Sequence, residues 1–143
     1  MAFGLNFVAL SLALAIAQQT TNAIPFYPSH CSPGPYIVFF AGGSAVLDAT
    51  ARETLANMAD AAANCSPLQY TVTGNSDAAE PYRLSRARAE AVRRYMSMHG
   101  FARRQIKVRW LGNTQPRVAT NASIPELQNR GVTILWTLDQ SKL

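Results

Sequence analysis

The chain has 143 residues, of which 48% are hydrophobic and 15% charged, with a formal net charge of +5. That length suits one ordinary domain with a usable core, and the composition excludes a disordered or low-complexity chain. No segment reaches the ~20 apolar residues of a transmembrane helix, and the positive charge points to anionic polymers as partners.

Residues 1–23 carry no charged side chain, and Phe7 to Ala17 is a small and apolar run broken only by Ser11. Its length matches the central region of a secretory signal peptide, with cleavage expected after Ala17 or Ala23 and a retained anchor as the alternative. The amino terminus supplies that leader's only positive charge. Export makes an anionic cell wall a more natural partner than nucleic acid. Residues 24–35, rich in proline, read as a lead-in loop, and the domain proper is expected over 36–143. Cys31 does not resemble a lipid-attachment site, because it lies far beyond the apolar run and follows Pro28-Ser29-His30. In an exported chain the two cysteines, Cys31 and Cys65, are expected to pair, worth roughly 3–4 kcal/mol. Two independent buried thiols are the alternative.

Tyr36 to Phe40 is a continuous β-branched and aromatic run, predicting a buried strand that Gly42-Gly43 ends. A helix follows, capped by Asp48 or by Thr50 with Glu53 at capping-box spacing. Ala51, Leu55, Met58, Ala59 and Ala62 form its apolar face. Leu68 to Thr73 reads as a second strand. The second helix is expected from about Pro81 to Met98, with Pro81 in its first position and Gly100 at its end. Ile106, Val108 and Trp110 alternate with Lys107 and Arg109 as a half-exposed strand. A short helix is expected around Pro125 to Asn129. The last strand places Val132, Ile134, Trp136 and Leu138 inward. The order strand, helix, strand, helix, strand, short helix, strand predicts a single α/β sandwich, with helices on one face of a four-stranded sheet.

The second helix carries an anomaly. Its apolar stripe reads Leu84, Ala87, Ala91, Val92, Tyr95, and Arg88 shares that stripe, four residues from both Leu84 and Val92. A core-facing arginine needs a partner, because an uncompensated buried charge costs several kcal/mol. Helical side chains lean towards the N-terminus, so Arg88 reaches back towards Gly74-Asn75-Ser76-Asp77, where Asp77 is the expected countercharge. Two readings stay open. One is a structural Arg88–Asp77 salt bridge. The other is a split site for a zwitterion, with Arg88 forking onto a ligand carboxylate and Asp77 accepting from a ligand ammonium.

These residues resemble the C-terminal domain of outer-membrane protein A and its relatives Pal and MotB, over about Tyr36 to Leu138. Val38-Phe39-Phe40 resembles that family's first strand. Gly74-Asn75-Ser76-Asp77 resembles its Gly-x-Thr-Asp turn. Leu84-Ser85-Arg86-Ala87-Arg88-Ala89 resembles its Leu-Ser-x-x-Arg-Ala helix start. Gly100, Ile106, Gly112 and Pro116 follow its order, and Asn129-Arg130-Gly131-Val132 resembles its closing Asn-Arg-Arg-Val. The resemblance implies a mixed-sheet βαβαβ(α)β fold and non-catalytic peptidoglycan binding in the periplasm or cell envelope of a Gram-negative bacterium, outer-membrane association included. It assigns the α-ammonium and carboxylate of meso-diaminopimelate to Asp77 and Arg88, with Ser76, Leu84, Asn129 and Arg130 in support. No cofactor is implied. The alternative is a degenerate domain that keeps the fold and binds an envelope protein instead.

Three departures from the family pattern stand out. The link from Asp77 to Leu84 is shorter than usual. Ala41-Gly42-Gly43 follows the first strand where an acidic or amide side chain is common, and Gly131 replaces the second closing arginine. Asp77 and Glu80 lie in one loop with no facing acid–base group, so they are not read as a catalytic pair. His30 and His99 lack ligand spacing to each other or to the cysteines, which argues against zinc. Loss of Arg88 is expected to weaken binding more than about tenfold in a chain that still folds.

Overall fold

The computed structural model describes residues 31–121 and 123–138, so the expected leader and most of the lead-in loop lie outside the described residues. Strand β1 (Tyr36–Phe39), helix α1 (Ala49–Ala63), strand β2 (Pro67–Asn75), helix α2 (Arg83–Met98), strand β3 (Ile106–Gly112) and strand β4 (Gly131–Leu138) follow one another. Short 3-10 turns at Arg103–Gln105 and Leu127–Asn129 precede β3 and β4. The sheet order is β1-β4-β2-β3. β4 pairs antiparallel with β1 and β2, while β2 and β3 run parallel. The expected mixed four-stranded sheet with two helices is therefore present.

The register aligns Tyr36 with Ile134, Ile134 with Val72, and Val72 with Val108. Because strand side chains alternate, these residues share one face with Val38, Tyr70, Val132 and Trp136. That face meets Ala51, Leu55, Met58 and Ala62 of α1 and Ala89, Val92 and Met96 of α2, forming one core. Tyr70 packs edge-on against both Phe101 and Trp136, at 5.1 and 5.9 Å between ring centroids.

Several local expectations need correction. Strand β1 is an edge strand with one face open: Val38 is buried but Phe39 is exposed, so its continuous apolar run does not mean burial on both sides. Asp48 alone caps α1, its Oδ1 accepting from the Ala51 N–H at 2.8 Å, while the Thr54 hydroxyl donates back to the Thr50 carbonyl. Helix α2 starts at Arg83, two residues after Pro81. Its buried positions are Ser85, Arg88, Ala89, Val92 and Met96, and Ala87 is exposed. The inward face is thus rotated from the expected stripe towards small residues. The cause is a close backbone approach, since a Cβ on Gly74 would lie 2.0 Å from the Ser85 carbonyl oxygen. Only a glycine in β2 facing small side chains on α2 allows that spacing.

The Cys31–Cys65 disulfide is formed, with the Cα atoms 5.8 Å apart. It fastens the lead-in segment to the C-terminal end of α1. No described helix is long and apolar enough to cross a membrane.

Candidate functional site

The C-terminal end of β2, the N-terminal half of α2 and the two connections flanking β1 and β4 converge at one end of the sheet. Four charged side chains meet there. Arg88 and Asp77 are both fully buried, Glu80 is 7% exposed, and Arg130 is 19% exposed.

Arg88 extends from α2 towards the N-terminal end of that helix, as helical geometry dictates. Its five N–H donors are all engaged. Nε donates to the Ser44 carbonyl at 2.9 Å. Nη1 donates to the Asn75 carbonyl at 3.2 Å and to Glu80 Oε2 at 2.7 Å. Nη2 donates to the Ala41 carbonyl at 3.3 Å and to Glu80 Oε1 at 2.7 Å. The guanidinium carbon stands 5.5 Å from the centre of the Phe40 ring. Arg88 thus binds the β1–α1 connection, the end of β2 and the following turn into one unit.

Glu80 is the true partner of Arg88, which corrects the expected Arg88–Asp77 pair. The short link explains the exchange. Asp77 to Glu80 forms a tight turn, closed by the Glu80 N–H to the Asp77 carbonyl at 3.1 Å and the Ala79 N–H to Asp77 Oδ1 at 2.8 Å. That turn folds the Glu80 carboxylate back over the arginine. Oε1 also accepts from the Gly43 N–H at 2.9 Å, and Oε2 from the Asp77 N–H at 3.0 Å. Burial pushes the Glu80 carboxyl up. The hydrogen bonds from Arg88, Gly43 and Asp77, with the arginine's charge, outweigh it and hold the group at about 2.

Asp77 instead pairs with Arg130, whose Nε donates to Asp77 Oδ2 at 2.6 Å. That hydrogen bond is the main reason the Arg130 guanidinium binds its proton more tightly than usual. Arg130 also lies 3.8 Å from Glu80 Oε1, so the four charges form a closed, formally neutral network. The Arg130 carbonyl accepts from the Phe40 N–H at 2.8 Å, fixing the start of β4 against β1.

The remaining predicted residues divide by role. Ser76 is buried beside Asp77, held by its N–H to the Gly112 carbonyl at 3.0 Å, and its Oγ has no hydrogen-bond partner. Asn129 is buried but faces the β3–β4 connection. Its amide donates to the Val118 carbonyl and accepts from the Val118 N–H, both at 2.8 Å. Leu84 is half-buried at the start of α2 and makes no polar side-chain contribution. Sequence reasoning noticed Glu80 only as an unsuitable catalytic acid, and missed Gly43 and Ala41 as backbone contributors. Gly43, at φ +67°, takes a left-handed conformation that turns its N–H towards Glu80. No cluster of three His, Cys, Asp or Glu side chains suited to a metal ion occurs among the described residues.

Residues 39–130 match the OmpA family, and the chain belongs to it. Among solved structures, the cell wall anchor of the T6SS from Pseudomonas aeruginosa is 31% identical, with a TM-score of 0.59 over 71% of this chain and 76% of that one. The OmpA-like domain of FopA1 from Francisella tularensis subsp. tularensis SCHU S4 is 20% identical, with a TM-score of 0.62 over 72% and 73% of the two chains. The peptidoglycan-associated lipoprotein from Burkholderia pseudomallei is 23% identical, with a TM-score of 0.59 over 71% and 90%. No curated protein sequence matches the chain significantly.

Proposed function

We propose that this chain is a non-catalytic envelope protein that binds peptidoglycan through the free amino-acid end of diaminopimelate in the stem peptide. Arg88 forks onto the α-carboxylate and Asp77 accepts from the α-ammonium. What carries the reading is the placement, within an OmpA family domain, of a buried guanidinium and a buried carboxylate at one end of the sheet. Two opposite charges with oriented partners suit a ligand bearing both charges on one carbon. Export to the periplasm, an attachment to anionic wall and the absence of chemistry belong to the same proposal.

A second reading has an observation in its favour. Both residues are already satisfied, Arg88 by Glu80 and Asp77 by Arg130, as expected for a domain that has lost the grip and binds a protein partner. Co-sedimentation with purified sacculi separates the two. The full chain should pellet with diaminopimelate-type sacculi and much less with lysine-type sacculi, whose diamino acid lacks the second carboxylate. Asp77→Asn, verified as folded by circular dichroism, should lose the difference. Equal pelleting with both wall types, abolished by salt, would reduce the interaction to charge attraction. No pelleting at all would favour the protein-partner reading.

A further inference from the structure

Glu80 occupies the place that the proposed site reserves for a ligand. Its two oxygens accept from both ends of the Arg88 fork and from the N–H groups of Gly43 and Asp77. These four donors recognise a carboxylate group, whatever carries it. We propose that Glu80 is a resident carboxylate that fills the Arg88 fork in the empty domain and is expelled by the incoming ligand carboxylate. The Ala78–Pro81 segment is then an exchangeable plug, while Asp77 keeps its place. This deepens the reading of Asp77 and Arg88 as an amino-acid site and rests on it.

Three observations support exchange over a permanent seal. Asp77 itself is buried and held by Arg130, but apart from the Glu80 carboxylate the residues after it pack little: Ala78 is half-buried, and Ala79 and Pro81 are exposed. Swinging that segment outward therefore uncovers little apolar surface. The plugged state also leaves the Ser76 hydroxyl, next in the chain to Asp77, buried without a partner, an unfavourable arrangement. Finally, the charges balance through the exchange. A zwitterion gives its carboxylate to Arg88 and its ammonium to Asp77. Arg130 and Glu80, already 3.8 Å apart and nearest to solvent, are left to pair with each other at the rim. The plug lowers the apparent affinity by the fraction of molecules that are open, so removing it strengthens binding.

Chemical rescue tests this without reference to the cell wall. The full chain, Glu80→Ala and Glu80→Gln are melted in acetate, glycine or meso-diaminopimelate, against chloride at matched ionic strength. Acetate should raise the melting temperature of Glu80→Ala by several degrees and leave the native chain unmoved. Glu80→Gln, which keeps the side chain's shape if the alanine variant does not fold, should bind meso-diaminopimelate more than about tenfold tighter than the native chain by calorimetry. If a folded Glu80 variant responds to no carboxylate, or Glu80→Gln binds no tighter than native, the plug is wrong and Glu80 is a fixed structural partner. If acetate rescues Glu80→Ala as well as meso-diaminopimelate does, the plug stands and the diaminopimelate reading falls.

Discussion

Glu80 ties its protonation to the stability of the fold. Its carboxyl lies at about 2 in the folded chain, below its ordinary value of 4.5, so the folded state favours the ionised form. The resulting stabilisation is fully present above pH 4.5 and is lost as pH falls towards 2, on the order of 1–2 kcal/mol once solvent screening is allowed for. Urea unfolding between pH 6 and pH 2 should show this loss, and Glu80→Gln should flatten it. An unchanged slope in the variant would mean that other carboxylates carry the acid sensitivity. Arg88→Ala should destabilise the fold by about 3–5 kcal/mol, because it strands a buried carboxylate and three carbonyls. The expectation of a chain that still folds without Arg88 has to be checked against this cost, so its loss of binding is read beside its melting temperature. The anomaly of Arg88 was legible in the sequence, since helical spacing puts it on an inward face. Its partner was not. Periodicity says which way a side chain leans, but Asp77 and Glu80 share one short turn, and only the turn's closure decides which carboxylate arrives.

Helix α2 shows the same limit for an element. Its existence, approximate length and C-terminal stop were readable, while its rotation was not. Apolar periodicity favoured Leu84, Ala87 and Tyr95, yet Ser85 and Ala89 face β2 because the backbones approach across Gly74. A Cβ at that position would overlap the Ser85 carbonyl, so Gly74→Ala should destabilise by about 3 kcal/mol, the upper end of overpacking costs. Urea unfolding gives the value directly. A change near zero would show that α2 can slide away, and that Arg88 is not rigidly placed. Strand alternation fared better: β4 buries Val132, Ile134, Trp136 and Leu138 as expected, because it is central and covered on one face. β1 misled because an apolar run at a sheet edge resembles an interior strand.

For the whole molecule, the order of elements and the family resemblance suffice to predict the fold, whereas the state of the site depends on contacts across long chain separations. Gly43 reaches Glu80 and Arg130 reaches Asp77 only after the sheet has assembled. The disulfide acts at this scale too, joining positions 34 residues apart. Cys31→Ser with Cys65→Ser should lower stability by roughly 4 kcal/mol in the chain-entropy model, measured by urea unfolding, and should leave ligand binding intact because neither cysteine enters the charge network. Fold and site are coupled instead through Arg88, which joins the β1–α1 connection to the end of β2 and to the turn carrying Glu80. A ligand that takes over the Arg88 fork must therefore stabilise the same junction.

Calorimetric titration of the full chain with two soluble stem peptides, identical except for diaminopimelate or lysine at the third position, tests the central claim most directly. The account predicts saturable binding of the diaminopimelate peptide, weakened in Asp77→Asn, and far weaker binding of the lysine peptide. Equal affinity for the two peptides, or no binding of either by the native chain and Glu80→Gln alike, would contradict it.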